Sequence, residues 1–317
     1  MLNNFSVFER KVVIIGAGFV GASIAYALTI RKLARKIVLI DIHEEKTIGE
    51  ALDIQHGIPD MGISSVRAGT YADCKDCDLI IITAGRNRKR GESRLDLIAG
   101  NSAILKDVVG QMKPYYTKGV IMIVSNPVDV LVYQCTKWMG LPNGMVFGTG
   151  CILDSSRFTR LIADYTHLNT EVVKATIVGE HGDAQIPIWS RASIAGVPLQ
   201  EYCENVGLKW DEEIRKEISD KVREMGATII KGKGRTHYGI ATCVCYLAEA
   251  VLNQRLTIAP VSTMFQGEYG IEDVCLSVPS IIGVNGVEKR LEERWAEEEF
   301  QAFRRAAEKM KKVLKTL

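Results

Sequence analysis

Lys11 to Ile15 is a short β-branched run, too short for a helix, and it stops on Gly16-Ala17-Gly18-Phe19-Val20-Gly21. A helix-like segment, Ala22 to Arg31, follows at once. Strand, GxGxxG and helix in that order constrain the chain more than any other feature. Gly16 permits a tight turn, Gly18 lets backbone N–H groups approach a diphosphate, and Gly21 lets the helix pack close to the strand. The helix N-terminus brings partial positive charge to the same anion. A second strand, Lys36 to Ile40, ends on Asp41, twenty residues after Gly21. A carboxylate there accepts both ribose hydroxyls of an adenosine and repels a 2′-phosphate, so NAD is expected rather than NADP. The alternative is that Asp41 only caps a turn.

Further strands are expected at Val66 to Thr70, Asp78 to Thr83, Val120 to Ser125 and Met145 to Phe147, with helical spacing between most of them. That rhythm gives a fold class of α/β, a Rossmann doubly wound parallel sheet. Ligands of such sheets bind beyond the carboxyl ends of the strands, where Thr83-Ala84-Gly85 and Ser125-Asn126-Pro127 fall. From Cys151 the rhythm stops. Helices are expected over Ser155 to Tyr165, Asp211 to Lys231, Thr236 to Gln254 and Leu291 to Leu317, the last an amphipathic surface helix. Strands are expected over Val172 to Val178, Ile194 to Leu199, Leu256 to Phe265 and Val274 to Ile282, with Pro260 and Pro279 marking edges or bulges. Two domains follow: 1–150 binds NAD, and 151–317 is an α+β substrate-binding and catalytic domain.

A net charge of +2 over 317 residues supplies no basic excess for nucleic acid. No apolar run is long enough to span a membrane, and Met1 to Arg10 lacks the apolar core of a signal peptide. Five of the eight cysteines lie in or beside apolar runs, as buried free thiols do, and Cys74-Lys75-Asp76-Cys77 has no second pair at zinc spacing. The expectations are a reducing cytoplasm and no metal.

Two stretches carry candidate chemistry. Arg86 to Arg94 holds five cations, one carboxylate and a glycine after the fourth strand, which suits an anion-binding lid, although most such runs are solvated surface. Val178-Gly179-Glu180-His181-Gly182-Asp183 sets one histidine at the end of an element. An imidazole there can exchange a proton with a hydroxyl or carbonyl, yet a lone histidine at a turn is ordinarily a surface or capping residue.

The ordered set Gly16-x-Gly18-x-x-Gly21, Thr83-Ala84-Gly85, Gly91-Glu92-Ser93-Arg94-Leu95-Asp96-Leu97, Ser125-Asn126-Pro127-Val128-Asp129, Leu153-Asp154-Ser155-Ser156-Arg157, Gly179-Glu180-His181-Gly182-Asp183 and Lys231 to Thr236 resembles the lactate/malate dehydrogenase family, from about Lys11 into the C-terminal helix. The resemblance implies an NAD-dependent L-2-hydroxyacid dehydrogenase. His181 would be the acid/base, and Asp154 would orient it and raise its pKa. Arg157 would clamp the substrate carboxylate bidentately, and Arg94 would polarise the carbonyl. Asn126 would sit near the carbonyl and nicotinamide, with Ile240 against the ring. Gly16, Gly18, Phe19, Val20, Gly21, Asp41, Thr83, Ala84, Gly85 and Ser125 complete the cofactor set, while Arg88 and Thr236 face the substrate side chain. Asp154 and Arg157, at i and i+3, would otherwise be a simple intrahelical salt bridge.

The substrate cues conflict. Arg88, six residues before Arg94, is the arginine of malate enzymes where lactate enzymes carry glutamine. Glu180, Pro187 to Ser190 and Thr236 to Ile240 follow the lactate pattern. A buried Arg88 facing the methyl of pyruvate would cost on the order of 3 kcal/mol, unless it turns to solvent or pairs with Glu92. Lactate is favoured by the number of matching segments, with malate as the alternative. The bisphosphate-binding arginine and histidine of allosteric bacterial relatives are replaced by Thr159 and Lys174, so little or no such activation is expected. A homotetramer or homodimer is implied, with little room expected before Lys11 for the long N-terminal arm of the vertebrate enzymes. Two remoter readings are an NAD- and manganese-dependent glycosidase using Cys151 and His181, and an NADH-binding sensor without chemistry.

Overall fold

A computed structural model describes residues 10–60, 65–87, 91–92 and 94–317, with the side chains of Asp60 and Arg94 left out. In chain order the strands and helices begin with β1 (Lys11–Ile15), α1 (Phe19–Ile30), β2 (Lys36–Ile40), α2 (Glu44–His56), β3 (Ser65–Ala68), β4 (Leu79–Ile82), α3 (Arg94–Met112), β5 (Val120–Ile123), α4 (Val128–Met139) and β6 (Val146–Gly148). There follow α5 (Ile152–Thr166), β7 (Val173–Lys174), β8 (Ile177–Gly179), β9 (Gln185–Pro187), β10 (Ser193–Ile194), β11 (Val197–Pro198), α6 (Leu199–Asn205), α7 (Glu212–Lys233), α8 (Tyr238–Asn253), β12 (Thr257–Gln266), β13 (Glu272–Gly283), β14 (Gly286–Arg290) and α9 (Glu297–Leu314).

The chain forms two compact units. The first comprises Met1–Gly148, His237–Thr257 and Ile281–Lys289; the second comprises the remainder. The expected boundary at residue 150 divides the sequence, whereas grouping in space also sends α8 to the first unit, where it packs on α1.

In the first unit the strand order is β3-β2-β1-β4-β5-β6, every pairing parallel, as in a doubly wound dinucleotide-binding sheet. The residues of β4 and β5 are all buried, because a parallel sheet covered on both faces has no solvated side to alternate towards. The glycines act locally. Gly16 has φ +107°, and a methyl on Gly21 would land on the Gly16 carbonyl oxygen, so only glycine lets α1 start this close to β1. The helix accordingly begins at Phe19, earlier than the periodicity suggests.

The second unit is α+β with antiparallel pairing, as expected, but its strands are more broken. The run Val172 to Val178 is not one strand. Its first part pairs with β10 and its last part with β9 and β13. Between them Ala175 O takes the Thr159 hydroxyl at 3.3 Å, while Thr176 O takes the Ile188 N–H at 2.9 Å and so adds one bond to the β8–β9 pairing. The run Ile194 to Leu199 is a hairpin, not a strand, because Ala195 (φ 50°) and Gly196 (φ 87°) form a two-residue turn. Pro279 does not mark an edge: β13 lies between β12 and β8. The last helix starts at Glu297, not Leu291. Trp295 stacks on Tyr269 with centroids 4.7 Å apart, and the Ala296 N–H donates to Glu299 at 3.0 Å, which fixes the helix start. Phe303, Ala306, Ala307 and Met310 form the buried face of α9.

Candidate active site

At the carboxyl ends of the strands in the first unit, the loops hold one another by backbone and side-chain hydrogen bonds. The Ala17 N–H donates to Asp41 Oδ2 at 2.7 Å and the His43 N–H to Asp41 Oδ1 at 3.1 Å. Asp41 therefore does shape the turn, and that same bonding fixes a half-buried carboxylate at the end of β2. Thr83 Oγ1 donates to Gly16 O at 2.8 Å, and Ser125 Oγ donates to Ala84 O at 2.6 Å. The Asn126–Pro127 peptide is cis, and Asn126 Oδ1 accepts the Val128 N–H at 3.3 Å.

These residues fit NAD. Among the described residues a methyl placed on Gly18 would meet no atom within 4 Å, so nothing there crowds the α1 N-terminus at the residue where a diphosphate has to come close. Among the described residues no side chain caps that terminus. Phe19 and Val20 form the first turn of α1, and Gly85 and Ile240 lie in the same unit.

One organiser of this region was not foreseen. Asn101, on α3 and buried, accepts the Arg86 N–H at 2.9 Å and donates to Arg86 O at 3.1 Å and to Asn126 O at 2.6 Å. It thus ties the loop after β4 to the loop after β5. The signal was a lone amide within the apolar helical run Leu95 to Val109.

In the lid stretch, Arg88 lies outside the described residues, as does the side chain of Arg94, whose backbone opens α3. Arg86 and Glu92 form a two-pronged ion pair, with Nη1 to Oε2 at 2.7 Å and a second contact from Nη2 to Oε1. The carboxylate considered as a partner for Arg88 is thus engaged by Arg86.

The second unit brings Asp154, Arg157 and His181 together. Asp154 and Arg157 sit on α5 at i and i+3, and Arg157 Nη1 donates to Asp154 Oδ1 at 3.0 Å. The simple helical salt bridge is therefore present, but it is only part of the arrangement. The other oxygen, Asp154 Oδ2, meets His181 Nδ1 at 2.6 Å, across from the loop after β8. The Asp154 side chain is 3% exposed, that of Arg157 12% and that of His181 26%. Burial pushes the Asp154 carboxyl up, but His181 and Arg157 outweigh it and hold the group below its ordinary value. A buried, ionised carboxylate fixes the imidazole by Nδ1 and stabilises its protonated form.

At Gly226, inside the 22-residue α7, a methyl would stand 3.9 Å from Arg157 Nη2, an ordinary contact, so α7 passes beside Arg157 without requiring glycine at that position. Thr236 is half-buried at the end of the same unit. Among the described residues no group of three or more His, Cys, Asp or Glu could hold a metal ion. The Cys151 thiol is buried and faces Gly179 O at 3.8 Å.

A family model described as lactate/malate dehydrogenase, NAD binding domain, matches residues 10–148. A second, described as lactate/malate dehydrogenase, alpha/beta C-terminal domain, matches residues 151–317. An L-lactate dehydrogenase of Acetivibrio thermocellus is 39% identical over 316 residues, covering 100% of this chain and 99% of that protein. One of Thermoanaerobacterium saccharolyticum is 43% identical over 307 residues, covering 97% and 99%. Among solved structures, the minor L-lactate dehydrogenase from Enterococcus mundtii in its ligands-bound form superposes with a TM-score of 0.94 at 39% identity, covering 98% of each chain.

Proposed function

Because the chain belongs to the lactate/malate dehydrogenase family and takes NAD, we propose that it interconverts pyruvate and L-lactate. The observation that carries this reading is the Asp154 carboxylate shared between His181 Nδ1 and Arg157 Nη1. NAD, when bound, supplies or accepts the hydride at the substrate's second carbon. With Nδ1 given to Asp154, His181 Nε2 handles the proton of the substrate oxygen. Arg157 binds the carboxylate, a planar task that suits guanidinium better than ammonium. Arg94 takes the polarising role by its place in the motif. Thr236 borders the substrate's third carbon, and Asn126 the carbonyl and nicotinamide. Residues 1–150 hold NAD, with Asp41 on the adenosine ribose, and residues 151–317 hold substrate and proton relay.

Malate and oxaloacetate are the second reading, favoured by Arg88, a cation suited to a second carboxylate. The deciding measurement is kcat/KM for pyruvate against oxaloacetate with NADH, in the unaltered protein and in Arg88→Gln. A preference for oxaloacetate in the unaltered protein would overturn the pyruvate reading. A homotetramer or homodimer in the cytoplasm completes the proposal. Self-association is supported by apolar side chains exposed on three helices of the first unit, of which α1 packs on both others: Tyr26 and Ile30 on α1, Ile48 and Leu52 on α2, and Tyr238 and Tyr246 on α8. Among the described residues no helix is long and apolar enough to cross a membrane.

A further inference from the structure

Inside the first unit α1 packs on α8, and two polar contacts show that the helices run in the same direction. Near their starts Ser23 Oγ and His237 Nδ1 share a hydrogen bond at 2.9 Å. Just past the end of α1, Arg31 Nη2 donates to Glu249 Oε2 at 2.5 Å. We infer that His237 is a positioning residue for the cofactor: it sets the first turn of α8, which carries Ile240, against the first turns of α1, which receive the diphosphate. This role rests on the placement of Ile240 against the nicotinamide ring.

His237 is 8% exposed and stands at the N-cap of α8, where its carbonyl takes the Ala241 N–H at 3.1 Å. An N-cap side chain ordinarily accepts a hydrogen bond from its own helix. Among the described residues no side chain does so at α8, and the imidazole turns to α1 instead. Phe19 and Ser23, at i and i+4, share one face of α1. The imidazole meets both, with its centroid 5.9 Å from that of Phe19 and its Nδ1 on the Ser23 hydroxyl. The Tyr238 ring also packs on the imidazole, with centroids 4.0 Å apart.

The two helices differ in how firmly their starts are seated. A methyl on Gly21 would land on the Gly16 carbonyl oxygen, so α1 already rests on β1 at contact distance. At the far end, the Arg31–Glu249 pair is partly exposed, and ion pairs of that kind contribute little. Loss of the imidazole therefore frees the start of α8 rather than the start of α1. Ile240 lies in that first turn, three residues after His237, and shifts with it. A whole dinucleotide spans both helices and feels the shift, whereas ADP-ribose, which lacks the nicotinamide, needs the α1 side alone.

The test compares NADH with ADP-ribose by calorimetric titration of the full chain. His237→Ala should weaken NADH at least about fivefold and leave ADP-ribose within about twofold, because the bond lost governs the α8 side. His237→Asn should bring NADH back to within about twofold of the unaltered protein, since its amide can donate or accept where Nδ1 stands. Ser23→Ala removes the same bond from the other helix. It should reproduce the loss, and combined with His237→Ala it should add nothing further. The serine variant decides the matter if the histidine variant fails to fold. Equal weakening of the two ligands would make His237 a general support of the fold, and unchanged NADH affinity would make the bond idle; either result overturns the inference. Ile240→Ala tells this failure from that of the nicotinamide placement. If Ile240→Ala weakens NADH while His237→Ala does not, the role of His237 alone falls; if neither does, the placement falls with it.

Discussion

Ser155 and Ile177 are joined at both backbone groups of the isoleucine. The Ile177 N–H donates to Ser155 Oγ at 2.9 Å, and that hydroxyl faces Ile177 O at 3.4 Å. Just past β9 the Ile188 N–H donates to Thr176 O at 2.9 Å, so by the alternation of an antiparallel ladder the backbone groups of Ile177 turn away from β9, and a side chain of α5 meets them. The contact pins the helix carrying Asp154 and Arg157 to the strand that runs into His181.

Ser155→Ala leaves a buried amide without an acceptor and should lower stability by about 1–3 kcal/mol. Because the same bond sets the spacing of Asp154 and His181, kcat/KM should drop by roughly tenfold, or about 1.4 kcal/mol. Urea unfolding and steady-state kinetics on one preparation check both. An unchanged unfolding midpoint with unchanged kcat/KM would make the hydroxyl dispensable.

Asp154→Asn keeps the shape of the side chain and removes its charge. The imidazolium then loses its stabilising partner, and Arg157 loses the carboxylate that holds Nη1. Turnover should fall on the order of a hundredfold or more, the range of general acid–base assistance. NADH affinity, read from cofactor fluorescence, should stay as it was. Retained turnover would remove the carboxylate from the proposed relay.

The depressed Asp154 carboxyl also fixes the sign of a pH effect. A carboxyl held below its unfolded value stabilises the fold fully above that value, near pH 4, and the contribution disappears as pH falls through the folded pKa. The difference in thermal midpoint between the unaltered protein and Asp154→Asn should therefore be constant from about pH 5 upward and shrink on acidification. A difference that held flat to pH 3 would contradict the assignment of an ionised, paired Asp154.

The parallel half was legible in the sequence because its signals are local. A β-branched run ending in GxGxxG fixes strand, turn and helix within about twenty residues, and β1 and β2 fall where Lys11 to Ile15 and Lys36 to Ile40 place them. The antiparallel half depends on distant partners. Val172 to Val178 has the composition of a single strand and splits because β10 and β9 compete for its two ends. The candidate site divides in the same way. Asp154 and Arg157 share a helical face by spacing alone, but only tertiary structure brings His181 within hydrogen-bond distance of the Asp154 carboxylate. Asn101 acts through neighbours that no spacing reveals; its sole trace was a residue type at odds with its helix.

Gly18 and Gly21 sit three residues apart in one motif and should fail in different ways. A methyl on Gly21 would overlap the Gly16 carbonyl oxygen, so Gly21→Ala must push α1 away from β1. Forcing an extra carbon into a packed contact costs about 1–3 kcal/mol, and both the unfolding midpoint and NADH affinity should suffer. Gly18 has φ −73° and ψ −172°, which any residue adopts, and among the described residues a methyl there meets nothing within 4 Å. Gly18→Ala should therefore unfold within about 0.5 kcal/mol of the unaltered protein. Its added carbon nevertheless stands where a diphosphate has to approach the N-terminus of α1, so NADH should bind at least about tenfold more weakly. Calorimetric unfolding paired with NADH fluorescence titration separates the two glycines. If Gly18→Ala bound NADH as tightly as the unaltered protein, the diphosphate would have to sit elsewhere than at the start of that helix.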